Sequence, residues 1–350
     1  MSRLAWKSVA ALALGVALLA TTVTPASATF SGDNGRIAFR RYFDADRTRG
    51  AVFTVRPDGS GERQVTYPPA GYLDDDPDWS PDGRQLAFIR VNKNGCGTDC
   101  LYASLFVVNA DGSHLKQLTS STPGVDCANG GGCAAGPAWS PDGKTIAFQR
   151  QTGPLVDDEW TETAIYIIGA DGSGLTQVTQ KVHPTTGFDD APQFSPDGRT
   201  LAFERNNIRG ALPLFGVAVF TVGVDGRHER RLTPWSLRAG DTTDWSPDGQ
   251  RILFESNEEG PSTKSANLYT VRKDGTDLRQ LTFAHGGTVQ YFASSYSPDG
   301  RRITFARTPG IGPDGNADVY TMNVDGTHVR RVTNNALWDS RPDWGPAPNN

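Results

Sequence analysis

The amino-acid sequence predicts an all-β fold built from one repeated unit, and three observations support this. The tetrapeptide Ser-Pro-Asp-Gly occurs five times, beginning at Ser80, Ser140, Ser195, Ser246 and Ser297. Each copy follows an aromatic residue and precedes a short apolar run that ends in Phe. Successive copies lie roughly 50 to 60 residues apart, and repetition at a near-constant period is typical of propellers and solenoids.

Each repeat is expected to contain four antiparallel strands, as the copy beginning at Pro137 illustrates. Proline presets a type I turn in Ser-Pro-Asp-Gly, and the glycine accepts the left-handed conformation that closes it. The turn joins a first strand, Pro137–Ser140, to a second, Thr145–Arg150. Ala164–Ile168 is rich in β-branched residues and predicts a third strand. An Asp-Gly hairpin signal then leads into the fourth strand, Leu175–Thr179. Four such strands form the blade of a β-propeller.

The two ends of the chain complete one another. Pro342–Pro346 reads as a first strand with nothing after it, and Asp33–Phe39 begins at the turn with no aromatic strand before it. Joining them gives one composite repeat beside the five intact ones. The sequence therefore predicts a six-bladed β-propeller closed by one C-terminal and three N-terminal strands. Such closure removes exposed sheet edges.

Residues 1–28 are expected to be a signal peptide. Arg3 and Lys7 are basic, Ala10–Ala20 is apolar, and Ala26–Ala28 is a small-residue cleavage site. The apolar run is too short to span a membrane. We therefore expect residues 29–350 to form a single exported, monomeric propeller domain. It would have no membrane span and would lie outside the cell, or in the periplasm or cell envelope.

Charge and cysteine content narrow the class of partner. The formal net charge is −5, which disfavours nucleic-acid binding because that binding depends on basic surface. In an exported protein, four cysteines predict disulfides. The pairing is either local, Cys96 with Cys100 and Cys127 with Cys133, or between the two loops, and a zinc site is the alternative.

The candidate binding site lies on the face that carries the variable loops, opposite the short turns. Loops on a rigid scaffold commonly carry function. Asp75, Asp190 and Asp241 each lie four residues before a repeat aromatic, and Asp76 and Asp189 adjoin two of them. These carboxylates are expected to ring the mouth of a central channel and to bind a cation, a basic peptide end or Ca²⁺. The alternative is that they cap turns, and no cofactor is otherwise predicted.

Other candidates come from the histidines and from apolar loop segments. His183 and His285 lie in variable loops and are the histidines considered for metal binding or chemistry. Trp160, in a loop predicted at Gln151–Thr163, and Phe215 belong to segments that either bind a partner or fold over their own blade.

The order of Trp-Ser-Pro-Asp-Gly, apolar-apolar-Phe, Asp-Gly and Leu-Thr resembles the TolB-type propeller repeat. The resemblance covers nearly all of residues 29–350, and its best copies are Pro137–Thr179 and Asp244–Thr282. It implies a six-bladed exported propeller that works through protein contacts. It also implies kinship with the propellers of prolyl oligopeptidases and with oligogalacturonate lyases. The sequence shows no counterpart of the α/β domain of TolB or of the oligopeptidase hydrolase domain.

Two functions remain open from the sequence. Gly-x-Ser-x-Gly, phosphate-loop and His-Glu-x-x-His motifs are absent, which favours a non-enzymatic propeller that binds a protein, envelope or cell-wall component. The alternative is a secreted lyase-like enzyme that acts on polysaccharide with a divalent cation. The resemblance implies that lyases of this kind are seven-bladed propellers whose metal ligands are histidines. His183 and His285 do not reproduce such a set of ligands.

Overall fold

The computed structural model describes residues 30–93, 102–120, 133–156, 159–180, 187–207, 216–256, 265–286, 289–309 and 316–348. Within these ranges the chain forms strands and turns, with one 3₁₀ helix at Trp235–Leu237. None of the described helical structure is long and apolar enough to cross a membrane. The predicted signal peptide, residues 1–28, lies outside the described residues.

The strands fall into four classes by their order within the repeat. First strands are β4 (Tyr72–Trp79), β8 (Cys133–Trp139), β12 (Phe188–Phe194), β16 (Ala239–Trp245), β20 (Gln290–Tyr296) and β24 (Trp338–Pro346). Second strands are β1 (Asn34–Tyr42), β5 (Gln85–Asn92), β9 (Thr145–Val156), β13 (Thr200–Asn207), β17 (Arg251–Ser256) and β21 (Arg302–Thr308). Third strands are β2 (Gly50–Val55), β6 (Tyr102–Asn109), β10 (Glu159–Gly169), β14 (Gly216–Gly223), β18 (Asn267–Arg272) and β22 (Asp318–Asn323). Fourth strands have two residues each and are β3 (Arg63–Gln64), β7 (Lys116–Gln117), β11 (Thr176–Gln177), β15 (Arg230–Arg231), β19 (Arg279–Gln280) and β23 (Arg330–Arg331).

Strand pairing follows the order of the repeat. β8–β11, β12–β15, β16–β19 and β20–β23 each form a four-stranded antiparallel sheet. The remaining strands form one eight-stranded sheet, in which β24 pairs with β1, β1 with β2, and β2 with β3. A single parallel pair, Gly50 with Leu73, joins this set to β4–β7. The two ends of the chain therefore contribute to one four-strand set.

The first strands also contact one another. β4 contacts β8, β8 contacts β12, β12 contacts β16, β16 contacts β20, β20 contacts β24, and β24 contacts β4. Each first strand has an aromatic residue at or near its end, here called the anchor aromatic: Trp79, Trp139, Phe194, Trp245, Tyr296 and Trp344. These six side chains are buried.

The Ser-Pro-Asp-Gly turn is held by its own side chains. In the first copy, the Gly83 N–H donates to the Ser80 carbonyl at 2.9 Å. The Ser80 hydroxyl donates to Asp82 Oδ1 at 2.6 Å and accepts the Gln85 N–H at 2.9 Å. The Arg84 N–H donates to the same Asp82 oxygen at 3.0 Å. Serine and aspartate are therefore required by the turn itself, and Gly83 has a φ of 66°.

Each blade core is an aromatic pair between its second and third strands. The ring centroids lie 5.6 Å apart for Phe88 and Phe106 and 5.7 Å apart for Phe203 and Phe220. The Phe residues that end the apolar runs are fully buried: Phe39, Phe88, Phe148, Phe203, Phe254 and Phe305. The repeat Phe is thus a core residue, as its position after an apolar run indicates.

The structure bears on the predicted loop at Gln151–Thr163 and on the cysteines. The loop predicted at Gln151–Thr163 is wrong for most of its length, because β9 continues to Val156 and β10 begins at Glu159. Trp160 therefore lies in a strand and pairs with Leu155. Extending the hairpin lets the backbone N–H and C=O groups bond to each other. Cys133 is buried at the start of β8, and there is no free cysteine among the described residues. Cys96, Cys100 and Cys127 lie outside them, so the disulfide pairing stays a prediction.

Candidate binding site

Each first strand is irregular a few residues before its anchor aromatic. The register with the second strand shifts there, for example between Asp75 and Asp78 and between Asp190 and Gln193. Five of these strands place the third residue before the anchor at positive φ: Asp76, Gly136, Ala191, Ala293 and Arg341. Bulges of this kind re-aim side chains and are frequent beside functional sites. The left-handed conformation is unusual for residues other than glycine and is kept only where the surroundings enforce it.

Carboxylates hold the bulges in place. Asp75 Oδ1 accepts the N–H of Asp76 at 2.7 Å, and Asp190 Oδ1 accepts the N–H of Ala191 at 2.7 Å. β20 has Phe292 where these strands have aspartate. There the N–H of Ala293 donates instead to Glu255 Oε2, at 2.9 Å. The residues predicted to ring a channel mouth therefore also stabilise the local backbone.

The bulges surround a cavity of about 100 Å³, called here the central cavity. Its lining comes from every first strand: Asp76–Asp78, Ala135–Pro137, Asp190–Gln193, Thr242–Asp244, Ala293–Ser295 and Arg341–Asp343. First strands run from the variable-loop side toward the Ser-Pro-Asp-Gly turns. The lining residues directly before the anchor aromatics thus form the floor of the cavity. The lining residues three positions before the anchor aromatics form its mouth.

The central cavity is acidic. Its lining includes five carboxylates, those of Asp76, Asp78, Asp190, Asp244 and Asp343. Arg341 is the basic residue among the lining side chains. Folding brings these carboxylates close together, and the repulsion between them is unfavourable. Ionisable groups whose pKa is perturbed by such neighbours cluster at functional sites.

Three of these residues, Asp78, Asp244 and Asp343, immediately precede an anchor aromatic and are called here the floor carboxylates. Each accepts a hydrogen bond from the backbone of the next first strand. The donors are the N–H of Trp139 to Asp78 (2.7 Å), of Tyr296 to Asp244 (2.6 Å) and of Trp79 to Asp343 (2.8 Å). The floor carboxylates therefore connect neighbouring first strands.

Two of the floor carboxylates, Asp78 and Asp343, resist ionisation. Burial raises the pKa of Asp343 to about 6, against the opposing effect of its hydrogen bonds. Burial, and then the charge of Asp343, raise the pKa of Asp78 well above its ordinary value. In the described part of the chain neither residue forms an ion pair; Asp343 Oδ1 accepts the hydroxyl of Ser295 at 2.9 Å. The donors that the described residues offer to these two acids are neutral.

Two arginines compensate the acids at the mouth. Arg40 forms an ion pair with Asp75 and donates to the Ser340 hydroxyl at 2.6 Å. Arg341 Nε lies 3.2 Å from Asp76 Oδ1. Burial disfavours the charge of Asp75, but Arg40 and Arg341 outweigh it and hold its pKa below the ordinary value. Burial and the charge of Asp75 raise the pKa of Asp76 to about 7.

A second, smaller space continues below the floor and is closed by the N-terminal segment. Phe30, Pro141 and the anchor aromatics Trp139, Phe194 and Trp344 line it together with the floor carboxylates. Phe30 is partly buried and packs against the core. The central cavity is therefore obstructed at the turn side.

Asp189, predicted as a binding residue, is buried in an ion pair. Its two oxygens accept Nε and Nη2 of Arg205 at 2.5 and 2.8 Å, and the Arg205 guanidinium lies 4.9 Å from the ring centroid of Phe220. Asp74 with Arg90 and Asp339 with Arg41 repeat the arrangement, and the three aspartates are 0% exposed. Asp189 thus points into its blade rather than into the central cavity.

The remaining predicted residues are not brought together in the described structure. Asp241 lies in β16, whose side chain at that position is outside the description. His285 is exposed in the connection between β19 and β20, and His183 and Phe215 lie outside the described residues. Within the described ranges there is no group of three acidic, histidine or cysteine side chains placed to hold a metal ion. The Ca²⁺ expectation remains untested.

Sequence reasoning missed the floor carboxylates. Asp78, Asp244 and Asp343 are each followed directly by Trp, and that dipeptide recurs in three repeats. The recurrence of this dipeptide was the available signal. Their partners lie 48 to 264 residues away in the chain, as for Ser295 and Trp79 with Asp343.

Comparison with known proteins gives sequence relatives of two kinds. No protein-family model matches the chain. An uncharacterised protein of Agrobacterium fabrum is 26% identical over 268 residues, which cover 66% of this chain and 83% of that protein. An uncharacterised peptidase of Bacillus subtilis is 33% identical over 158 residues, covering 37% of this chain and 22% of the peptidase. Dipeptidyl-peptidase 5 of Trichophyton equinum is matched over the same 22% share of its length. The chain spans about a fifth of these curated peptidases.

Solved structures show the fold. TolB of Acinetobacter baumannii matches with a TM-score of 0.64 and 18% identity, over 91% of this chain and 69% of TolB. A candidate TolB of Agrobacterium tumefaciens matches with a TM-score of 0.56 and 20% identity, over 89% of this chain and 100% of that one. An oligogalacturonate lyase in complex with manganese matches with a TM-score of 0.52 and 15% identity, over 85% of this chain and 78% of the lyase. The fold is that of a TolB-type β-propeller.

Proposed function

We propose that this TolB-type β-propeller is an exported, non-enzymatic protein that binds a protein or an envelope component through its acidic variable-loop face. The central cavity is the observation that carries the proposal. Four different first strands contribute its five carboxylates, which meet one lining arginine. Natural proteins keep locally unfavourable arrangements mainly where function requires them.

The proposal includes a six-bladed ring. The contacts of β4, β8, β12, β16, β20 and β24 support it, because each strand contacts the next and β24 contacts β4. The pairing of β24 with β1 supports closure by one C-terminal and three N-terminal strands. A closed ring would hold the cavity lining rigid, so that a ligand would not have to order it.

Export and location rest on the sequence. The basic start at Arg3 and Lys7, the apolar run Ala10–Ala20 and the small residues Ala26–Ala28 support secretion and removal of residues 1–28. The partner would therefore be a protein, envelope or cell-wall component met outside the cytoplasm.

Cross-linking capture with matched variants tests the proposal. The bait is the exported protein, expressed from the full-length sequence and incubated with native envelope and culture fluid. The test variant is the double change Asp76→Asn and Asp190→Asn. Asn retains an oxygen that accepts the Ala191 N–H, and at position 76 it tolerates positive φ. The matched control is Asp46→Asn, which removes an exposed carboxylate from a loop outside the cavity.

We expect wild type and Asp46→Asn to capture the same partner, and the double variant to recover at least about five-fold less of it, a change of about 1 kcal/mol. Equal recovery with all three baits would contradict binding through the cavity. A panel of polyuronides is incubated with the same proteins in parallel. Cleavage by wild type that is lost in the double variant would replace the proposal with the lyase-like alternative.

A further inference from the structure

We propose that the central cavity recognises a primary ammonium group, presented as a lysine side chain of the partner. This inference rests on the proposed function and names the chemical group that the cavity receives. Four features of the cavity support it: acidic floor groups that no described cation pairs with, an unpaired hydroxyl, its proline lining and the arrangement of its acceptors.

The first feature is the lack of a cation at the floor. Asp78 and Asp343 accept hydrogen bonds from the backbone N–H groups of Trp139 and Trp79. In the described ranges no arginine or lysine forms an ion pair with either carboxyl group. Buried carboxyl groups without a neighbouring cation favour the neutral form, and an ammonium group brought to the floor would stabilise the ionised form by direct pairing.

The second feature is Ser294, which lines the cavity two residues before its anchor aromatic. The residue is 5% exposed, and its hydroxyl has no hydrogen-bond partner within the described structure. An equivalent hydroxyl, that of Thr243, donates to the Ala191 carbonyl at 2.8 Å. A buried hydroxyl without a partner is unfavourable by about 1–3 kcal/mol. Rotation of the Ser294 side chain toward the cavity would let its oxygen accept an ammonium N–H.

The third feature is the level of the lining between mouth and floor. Four first strands place proline two residues before the anchor aromatic: Pro77, Pro137, Pro192 and Pro342. Their rings give this level an apolar surface above the acidic floor. A lysine side chain combines an apolar methylene stem with a charged end, and it commonly buries the stem along apolar surface. The obstruction by Phe30 below the floor suits a side chain that enters from one side and stops there.

The fourth feature separates ammonium from guanidinium. Arg41, Arg90 and Arg205 share one arrangement, in which one carboxylate accepts two N–H groups and aromatic rings lie beside the guanidinium. Among the residues that the structure describes, no aromatic side chain lines the central cavity, and the floor carboxylates come from three different strands. Acceptors that come from different strands suit the three donors of an ammonium group. The planar guanidinium group instead matches the two oxygens of a single carboxylate.

Calorimetric titration of short peptides tests the inference. The probes are acetyl-Gly-Lys-Gly-amide, the same peptide with norleucine, which keeps the stem and lacks the charge, and the same peptide with arginine. Cadaverine and calcium chloride are titrated separately. We expect the exported wild-type protein to bind the lysine peptide at least about ten-fold more tightly than the norleucine or arginine peptide, a difference of about 1.4 kcal/mol.

Variants locate the binding. Asp78→Asn and Asp343→Asn are each expected to weaken lysine-peptide binding at least about five-fold, and Ser294→Ala about two- to three-fold. Asp46→Asn, outside the cavity, is expected to leave it unchanged. Removing one of two repelling acids is not expected to unfold the protein, and circular dichroism and thermal melting verify this for each variant. Loss of binding in a variant that melts like wild type supports the inference.

Four results would overturn it. Equal affinity for the lysine and norleucine peptides, tighter binding of arginine, binding of cadaverine but not of the lysine peptide, or binding of calcium alone each contradict a lysine ammonium. The capture experiment separates this failure from failure of the proposed function. A partner that depends on Asp76 and Asp190 but binds without its lysines would refute the ammonium group and leave the binding function standing.

Discussion

Replacing Asp343 with Asn is expected to remove a pH-dependent loss of stability. Burial raises the pKa of Asp343 from 3.8 to about 6. Between these pH values the folded protein keeps a proton that the unfolded chain has released, so the stability of wild type falls as the pH rises through this window. Asn is neutral throughout, and its side-chain oxygen can still accept the N–H of Trp79.

The size of the effect follows from the shift in pKa. Two pKa units correspond to about 3 kcal/mol in the free energy of unfolding. Asp343 is partly exposed and shares its environment with Asp78, so a smaller value of about 2 kcal/mol is expected. Relative to wild type, Asp343→Asn is therefore expected to gain about 2 kcal/mol between about pH 4 and about pH 7.

Urea unfolding followed by tryptophan fluorescence at both pH values measures this difference. Asp343→Ala is the matched control. It removes the acceptor of the Trp79 N–H, and we expect it to be less stable than Asp343→Asn by about 1–3 kcal/mol at either pH. The reasoning is refuted if Asp343→Asn differs from wild type by the same amount at both pH values.

Three further changes test the closure, the buried ion pairs and the strand contacts. Deleting Arg341–Asn350 removes two thirds of β24 and is expected to lower stability by about 5 kcal/mol or more, measured by thermal denaturation. Arg90→Met leaves the buried Asp74 carboxylate without its partner and is expected to cost about 3–5 kcal/mol in urea unfolding. Gly345→Ala would place its Cβ 2.3 Å from Cγ of Trp79 and is expected to cost about 1–3 kcal/mol, measured in the same way.

The two substitutions have controls that make the same kind of change at another position. Arg49→Met breaks an exposed pair with Asp44 and is expected to cost no more than about 1 kcal/mol. Gly32→Ala would add a Cβ with no atom closer than 3.9 Å and is expected to be near neutral. A truncated protein that melts like wild type would contradict the contribution of β24. Equal effects of Arg90→Met and Arg49→Met would contradict the role of burial.

The acidic residues of the first strands divide by position into distinct roles. Five residues before the anchor aromatic, Asp74 and Asp189 pair with arginine and are buried. Four residues before it, Asp75 and Asp190 hold the bulge. One residue before it, Asp343 and its equivalents form the cavity floor. A shift of one residue along a strand therefore changes what the same side chain does, because successive side chains point to opposite faces.

The sequence by itself determined the repeated strands, the turns and the TolB-type propeller fold. These depend on local rules: proline and glycine select the turn, and alternating apolar residues select the strand. It also led to Asp76 and Asp190 as site candidates, both of which line the central cavity. It led equally to Asp189, because no local pattern separates an aspartate opposite Arg205 from one at a cavity.

Only the tertiary structure decided which acids meet. Asp343 accepts the N–H of Trp79, which is 264 residues away in the sequence. The charge of Asp343 also raises the pKa of Asp78, because β24 and β4 are neighbours in space. Local patterns cannot carry this information, since burial and charge coupling depend on distances between strands that are remote in the chain. The acidic character of the variable-loop face could thus be predicted from the sequence. The central cavity could not, because it depends on the packing of first strands that are distant in the chain.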